Sequence, residues 1–235
     1  MPRVRRVVTS RPGGISAGAY ESFNLSTAVG DVPAAVVTNR ARLAAELRVP
    51  PDRLVWMDQV HGTGVRVVDS PATEPLAATD AVVTAEPGLV LAVLVADCVP
   101  VLLADVDAGV VAAVHAGRAG ASAGVVRRAV ETMWRLGGEP RRTEVLLGPA
   151  ICGMDYEVPA ALRDDVEQHL PGSACATGAG TPGLDLRAGI AAQLSALGVA
   201  RVVVDPRCTV EDPDLFSYRR DGATGRQAGL IWLEA

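Results

Sequence analysis

Three apolar runs follow one another in the middle of the chain, and they constrain its fold more than any other feature. They cover residues 89–96, 99–104 and 109–115 and consist mainly of Val, Leu and Ala. Each run is far shorter than the ~20 apolar residues of a membrane-spanning helix. Continuous Val and Leu over such lengths is typical of strands whose two faces are both buried. We therefore expect strands inside a folded core and no membrane partner.

Short strand patterns and amphipathic helix patterns alternate irregularly through the rest of the chain. Further strands are predicted over 4–9, 54–60, 64–68, 80–84, 143–147, 200–204 and 226–235, and helices over 33–47, 125–136, 160–170 and 186–197, with a Gly-rich loop at 172–183. Since strands outnumber helices, we predict an α+β fold of mixed β-sheets in a layered α/β arrangement, not a doubly wound sheet. No linker or repeat interrupts the sequence, so we expect one domain over residues 1–235.

Composition excludes several classes of function. All 22 basic residues are Arg, and without Lys the chain cannot form a Schiff base, anchor pyridoxal phosphate or build a phosphate-binding P-loop. A net charge of −5 disfavours nucleic acid as a partner, because nucleic-acid binding needs clustered cations. Four scattered Cys residues and an N-terminus without a signal-peptide core favour reduced thiols and a cytoplasmic location.

Two of the three His residues and one Cys stand at the ends of predicted strands. His61 precedes a glycine, His115 ends an apolar strand, and Cys98 lies between the two most apolar runs. Strand ends can converge on one mouth of a sheet, where two imidazoles and a thiolate suffice to hold Zn²⁺ with a fourth position open. The same spacing fits hydrogen-bonded turn histidines and a small core cysteine.

A Gly-rich turn follows His115 and leads into a predicted helix. The sequence HAGRAGAS over residues 115–122 has the order of strand, loop and helix in which free backbone N–H groups attract an anion such as phosphate. Small residues that let a helix pack closely on a strand explain the same pattern equally well.

A set of short stretches, in a fixed order over almost the whole chain, gives a more specific signal than any single motif. The stretches are RPGGIS, SFNLS and GD near the start, NRARL, QVHG at 59–62, TDAVVT at 79–84, ADCVPVLL at 96–103, AAVHAG at 112–117, LGPAI and YEV within 147–158, LDLR at 184–187 and LFSYRRDGATGRQAGLIW at 215–232. In these stretches the chain resembles the YfiH/YlmD group, also called the laccase-domain or polyphenol-oxidase-like family, which has purine nucleoside phosphorylase activity.

This resemblance implies that His61, Cys98 and His115 bind a metal, which is zinc or else copper. It also implies phosphorolysis of adenosine, inosine, guanosine or methylthioadenosine to the base and ribose 1-phosphate, with adenosine deamination as a side activity. The implied fold is similar to that of the cysteine-dependent toxin deamidases. One departure is that the family's HAGWRG reads HAGRAG here, so Arg118 comes one position early and Ala119 takes the usual Arg position.

Positions beside the metal ligands suggest further roles. Asp97 is a candidate proton carrier, so the expected catalytic residues are Asp97, Cys98 and His115; a hydrogen bond from Asp97 to a histidine is the alternative. The other candidates could bind substrate or serve as structural hydrogen-bond partners. The expected substrate contacts are Asn24, Arg40, Gln59 and Arg118.

Other classes of function fit the same residues. A metal-free hydrolase would use Cys98 as nucleophile and His115 as base. A copper-dependent phenol oxidase would use the three metal ligands, although three ligands cannot build a multicopper cluster. A protein that edits or binds cell-wall precursors would keep the ligands as a structural site. Monomer and dimer are both compatible with the sequence.

Overall fold

A computed structural model of the chain describes residues 3–234. The described residues form three β-sheets with α-helices on both sides. The strands are β1 (Val4–Val8), β2 (Leu54–Val55), β3 (Val65–Val67), β4 (Ala81–Thr84), β5 (Val90–Val95), β6 (Val99–Asp105), β7 (Val110–Ala116), β8 (Glu144–Leu147), β9 (Ala174–Ala176), β10 (Pro182–Leu184), β11 (Arg201–Val204) and β12 (Gln227–Leu233). The helices are α1 (Pro33–Leu47), α2 (Arg118–Ser122), α3 (Val125–Arg135), α4 (Ala160–His169), α5 (Leu186–Ala196) and α6 (Tyr218–Asp221).

Two mixed sheets pack face to face and make up the centre of the molecule. The larger has the strand order β11-β8-β6-β7-β4-β3, and the smaller has the order β1-β12-β5-β2. The side chains between them include Leu102 and Val111 of the larger sheet and Leu91, Val93 and Ile231 of the smaller. The expected α+β fold with layered mixed sheets is therefore confirmed.

Helices cover the outer face of each sheet. Val126 and Met133 of α3 and Ile190 of α5 pack on the larger sheet. Leu43 of α1 packs on the smaller sheet beside Trp232. The order of layers is helix, sheet, sheet, helix, and each internal strand has an apolar layer on both sides. Within residues 3–234, no helix is long and apolar enough to cross a bilayer.

The apolar runs form internal strands, and alternate side chains along each of them pack into different hydrophobic cores. Leu91 and Val93 of β5 face the space between the sheets, whereas Ala92 faces α1. Leu102 of β6 also faces the other sheet, whereas Leu103 faces the helices. Side chains alternate between the two faces of a strand, so a strand with two apolar neighbours needs an unbroken apolar sequence.

The structure corrects two of the predicted elements. The strand expected over 54–60 ends at Val55, because the segment that follows turns away and wraps around the carboxylate of Asp80. The loop expected over 172–183 contains the antiparallel hairpin of β9 and β10. Its strands have three residues each, Ala-Cys-Ala in β9 and Pro-Gly-Leu in β10, so their β-propensity is low. The last strand runs over Gln227–Leu233, and residue 235 lies outside the described residues.

Strand register brings several distant polar residues to one edge of the larger sheet. β7 runs antiparallel to both β6 and β4, with Ala116 opposite Val99 and Val114 opposite Ala81. The C-terminal end of β7 therefore lies beside the N-terminal ends of β6 and β4. β3 is parallel to β4, so the loop before β3 reaches the same edge. Of the three candidate ligands, His115 stands at the end of β7, Cys98 directly before β6 and His61 in the loop before β3.

Candidate active site

His61, Cys98 and His115 converge at this edge of the larger sheet. One ligand atom of each side chain lies within 4.8 Å of the other two. His61 Nε2 is 3.8 Å from Cys98 Sγ, and the two imidazole rings meet nearly edge to face with centroids 4.7 Å apart. His61 is exposed and His115 is 2% exposed, so the group opens to solvent on one side. This is the convergence that the strand ends predict.

Asp80 organises two of the three residues. Its fully buried carboxylate accepts a 2.8 Å hydrogen bond from His115 Nδ1, which leaves Nε2 of that ring toward Cys98. The same carboxylate accepts backbone N–H bonds from Val60 (3.3 Å), His61 (2.9 Å) and Gly62 (2.8 Å). Sequence reasoning assigned Asp80 no role, although it lies in the TDAVVT stretch. A carboxylate behind a metal-binding histidine fixes the tautomer and the orientation of the ring.

The loop that carries His61 is held in an unusual shape against the start of α2. His61 itself has φ of 58°, in the left-handed region that costs energy for a residue with a Cβ. A Cβ at position 117 would lie 2.7 Å from His61 Cδ2 and 3.0 Å from Cys98 Sγ. Only glycine therefore fits at Gly117, and its absent side chain lets two candidate ligands approach the backbone.

The surroundings shift the pKa values of two ligands in opposite directions. Burial alone raises the pKa of the Cys98 thiol, but hydrogen bonds from His115 and His61 and their positive charges outweigh it and lower the pKa to about 6. Burial alone lowers the pKa of His115, but Asp80 and Cys98 outweigh it and raise the pKa to about 9. Without a metal, the pair is therefore a thiolate and an imidazolium at pH 7.

The donor set fits a divalent transition metal. Tetrahedral Zn²⁺ places a sulfur ligand and a nitrogen ligand ~3.5 Å apart, given bonds of ~2.3 and ~2.0 Å, and His61 Nε2 to Cys98 Sγ is 3.8 Å. The imidazoles and the thiolate also suit copper. The group therefore suits a metal held by three side chains, and its chemistry does not select between the two metals.

A large cavity of about 750 Å³ opens beside the three ligands. Four arginines line it together with the carboxylates of Asp58, Glu74 and Asp97, a combination that no single stretch of sequence reveals. The arginines are Arg40, Arg118, Arg219 and Arg226. Tyr156 and Tyr218 also line the cavity, and the guanidinium of Arg219 lies 5.0 Å from the centre of the Tyr156 ring. Sequence reasoning missed Tyr156, Arg219 and Arg226, which lie in the YEV and LFSYRRDGATGR stretches.

Asp97 lines the cavity but is occupied by other contacts. Its carboxylate accepts hydrogen bonds from Thr209 Oγ1 (2.6 Å), Ser217 Oγ (2.7 Å) and the backbone N–H of Arg219 (2.6 Å). The side chain thus fixes the segment that carries Arg219. No His N–H bonds to it among the described residues, since Asp80 takes that place for His115. A role for Asp97 in proton transfer stays a prediction, and its visible contacts are those of a positioning residue.

The expected substrate contacts divide between the cavity and the interior. Arg40 and Gln59 line the cavity, but each is also fixed: Arg40 Nε donates to the Leu25 carbonyl, and Gln59 exchanges two hydrogen bonds with the backbone of Leu94. Burial lowers the pKa of Arg40 to about 10, so it remains charged at pH 7. Asn24 does not reach the cavity. It is completely buried and bonds to the backbone and to a neighbouring carboxylate.

The expected anion site at the start of α2 stays a prediction. α2 has five residues, so its dipole is weak, and a left-handed Gly124 separates it from α3. Arg118 at its first position lines the cavity and is close enough to lower the pKa of Tyr156, which burial raises more strongly. Positive charge for an anion therefore comes from arginine side chains more than from the helix.

The chain is similar to known proteins over almost its full length. A curated Mycobacterium tuberculosis protein named purine nucleoside phosphorylase is 61% identical over 232 residues, covering 99% of this chain and 93% of that protein. The crystal structure of YlmD from Geobacillus stearothermophilus has a TM-score of 0.93 and 33% identity, covering 99% of this chain and 92% of that chain. The Neisseria meningitidis protein NMB0706 has a TM-score of 0.89 and 37% identity, covering 99% and 95%.

The family model described as multi-copper polyphenol oxidoreductase laccase matches residues 5–234. This match includes His61, Cys98 and His115 and the strands that hold them. By sequence over almost its full length and by fold, the chain belongs to the laccase-like YfiH/YlmD family.

Proposed function

We propose that this protein is a metal-dependent purine nucleoside phosphorylase. The observation that carries the proposal is a His-Cys-His group at the mouth of a cavity large enough for a nucleoside and lined by four arginines. The similarity to a protein with that name, over 99% of the chain, supports it. The proposed substrates are adenosine, inosine, guanosine or methylthioadenosine with phosphate, and the proposed location is the cytoplasm.

Phosphorolysis needs two kinds of stabilisation in one cavity. The ribose gains positive character as its bond to the purine breaks, and negative charge develops on the departing base. Phosphate must also be held close to the sugar as the attacking group. A cavity that combines a cation site with several guanidinium groups can supply both, since guanidinium forks match phosphate oxygens.

In this proposal each wall of the cavity has a separate task. His61, Cys98 and His115 would hold a zinc ion, or copper, which when bound acts as a Lewis acid toward an oxygen of a substrate or water. Arg118 and Arg219 are the proposed phosphate contacts. Asp80 keeps His115 oriented, and a thiolate at Cys98 is already favoured at neutral pH by the two imidazoles. Adenosine deamination is proposed as a side activity of the same site.

The test is incubation of purified, metal-quantified protein with adenosine, with and without phosphate, and mass spectrometry of the products. Adenine and ribose 1-phosphate that form only with phosphate are expected, and both should disappear in Cys98→Ala. Inosine as the only product would mean that the protein deaminates adenosine and does not phosphorolyse it. Full turnover in Cys98→Ala with full metal content would refute the proposal. Parallel reconstitution with zinc and with copper identifies the active metal.

A cysteine hydrolase is the second candidate, and one observation favours it. Cys98, His115 and Asp80 form a chain of thiolate, imidazolium and carboxylate, which is the arrangement of a thiol nucleophile with its base and orienting acid. In that case chelation of the metal would leave turnover unchanged or raise it, and alkylation of Cys98 would abolish it. In the phosphorylase, chelation itself removes activity.

A further inference from the structure

A second group of metal-binding side chains lies outside the active site. It consists of Cys152, Asp155 and Cys208, whose ligand atoms lie within 4.8 Å of one another. Asp155 Oδ2 is 3.1 Å from Cys152 Sγ and 3.1 Å from Cys208 Sγ. The backbone N–H of Cys152 donates to Cys208 Sγ at 3.3 Å. Two sulfurs therefore face one carboxylate oxygen, and one sulfur already accepts a backbone hydrogen bond.

The fold brings these residues together from segments far apart in the chain. Ala150 and Cys208 form a parallel bridge, and the N–H of Thr209 donates to the Ala150 carbonyl at 3.2 Å. The carbonyl of Cys152 accepts N–H bonds from Asp155 (3.1 Å) and Tyr156 (3.0 Å), so the loop folds back and directs Asp155 toward both thiols. The group is thus fixed by backbone geometry and not by flexible surface side chains.

The geometry is close to three corners of a tetrahedral zinc site. With Zn–S bonds of ~2.3 Å and a Zn–O bond of ~2.0 Å, each sulfur–oxygen edge of a tetrahedron is ~3.5 Å long. The two edges measured here are 3.1 Å, so the triangle needs to open by only a few tenths of an ångström around an ion. We propose that Cys152, Asp155 and Cys208 form a second Zn²⁺ site, separate from the His61-Cys98-His115 group.

A metal at this place would join the two segments that form one wall of the cavity. Ile151 and Tyr156, which flank Cys152 and Asp155, line the cavity. Thr209, next to Cys208, donates to Asp97 and so connects to the segment of Arg219. The role of this site is therefore structural, and the site does not depend on which reaction the cavity supports.

Co²⁺ binding to the full-length Cys98→Ala protein isolates the second site, because Cys98 is the thiolate of the first. Metal-free, reduced protein is titrated with Co²⁺, and the absorption band of a thiolate-to-cobalt charge transfer is followed. We expect the band to saturate at about one equivalent. Adding Cys208→Ser or Asp155→Asn should weaken binding by at least ~100-fold, since loss even of an outer partner costs ~10–100-fold.

Cys175→Ser in the same background is the matched control. Cys175 is a partly buried thiol that contacts the Gly153 carbonyl at 3.5 Å but does not belong to the group. It should leave the band unchanged. The absence of a band in Cys98→Ala would overturn the proposal. A band that is lost with Cys175→Ser but kept with Cys208→Ser would also overturn it. So would a Cys152–Cys208 disulfide that persists in the isolated protein in the presence of Zn²⁺.

A second measurement uses the unsubstituted protein, so it applies even if the variants fail to fold. Zn²⁺ added to the metal-free, unsubstituted protein should protect Cys152 and Cys208 from alkylation, as measured by mass spectrometry of the peptides. Cys175 should react at the same rate with and without Zn²⁺. Alkylation rates of Cys152 and Cys208 that saturating Zn²⁺ leaves unchanged would overturn the proposal without any substitution.

Discussion

Asp80 and Asp97 each accept several hydrogen bonds, yet they hold different parts of the candidate site. Asp80 is fully buried and contacts the metal side, through His115 and the backbone around His61. Asp97 contacts the arginine side, through Ser217 and the backbone N–H of Arg219. Each carboxylate therefore orders one wall of the cavity.

The difference teaches that the candidate site has two halves with separate supports. The metal half consists of His61, Cys98 and His115 at strand ends of the larger sheet, so its geometry is set by strand register. The arginine half takes Arg219 and Arg226 from the C-terminal segment, where Asp97 holds the backbone of Arg219, and it takes Arg40 and Arg118 from α1 and α2. Substitutions should accordingly affect metal binding or phosphate binding, and seldom both.

Cys98→Ala should have the largest effect on the metal half. Loss of the thiolate leaves two imidazoles, and the several kcal/mol that a metal supplies corresponds to ~10²–10⁴ in kcat/KM. Metal analysis and adenosine phosphorolysis measure the effect together. Cys175→Ala is the control and should change neither. A Cys98→Ala protein that loses metal but keeps turnover would show that the metal half takes no part in catalysis.

Asp80→Asn should weaken metal binding by ~10–100-fold, although all three ligands, His61, Cys98 and His115, are still present. An uncharged amide raises the basicity of His115 Nε2 less than a carboxylate does and holds the ring orientation less firmly, and it leaves fewer acceptors for the loop of His61. Asp105→Asn is the matched control, because Asp105 is also fully buried and accepts backbone N–H bonds, from Ala108 and Glu139. Equal metal affinities in the two variants would contradict the special position of Asp80.

Asp97→Asn should act on the other half. The oxygen of an amide cannot accept all three of the hydrogen bonds that Asp97 accepts, and a hydrogen bond to a charged group contributes about 1.5–3 kcal/mol, so we expect KM for phosphate to rise about tenfold. Metal content should stay that of the unsubstituted protein. Phosphorolysis measured over a range of phosphate concentrations separates KM from kcat. A loss of metal instead of phosphate affinity would break the division into two halves.

The smallest expected effect is the pH dependence of Cys98 alkylation in the metal-free protein. Since the pKa of Cys98 is lowered to about 6, its thiolate fraction should rise only about twofold from pH 6 to pH 8. Burial and Asp185 raise the pKa of Cys175, so its rate should rise ~100-fold over the same range. Peptide mass spectrometry follows both thiols in one sample. Parallel pH profiles for the two thiols would contradict the lowered pKa.

The sequence predicts the three ligands of the metal half better than it predicts Asp80, the residue that holds them in place. His61, Cys98 and His115 could be chosen because few residue types bind metals and each of these stands at a strand end. Asp80 could not, because its contact with His115 depends on the register that sets Ala81 opposite Val114. Register is a property of paired strands, and neither strand alone encodes it.

The arginine half was harder to predict for a related reason. Arg219 and Arg226 come from a segment with little regular secondary structure, whose position depends on the contacts of Asp97. Composition shows an excess of Arg but not which of them share a cavity. The fold class, in contrast, follows from the unbroken apolar runs, because only strands covered on both faces need them.

The origin of the three ligands in separate strand ends has a consequence for folding. His115 lies near the end of β7, Cys98 precedes β6 and the His61 loop precedes β3, so the ligands meet only after these strands have paired. A bound metal then stabilises the paired state and not any fragment of it. Release of the metal during denaturation should therefore coincide with cooperative unfolding of the larger sheet, and a colorimetric chelator would report that transition in real time.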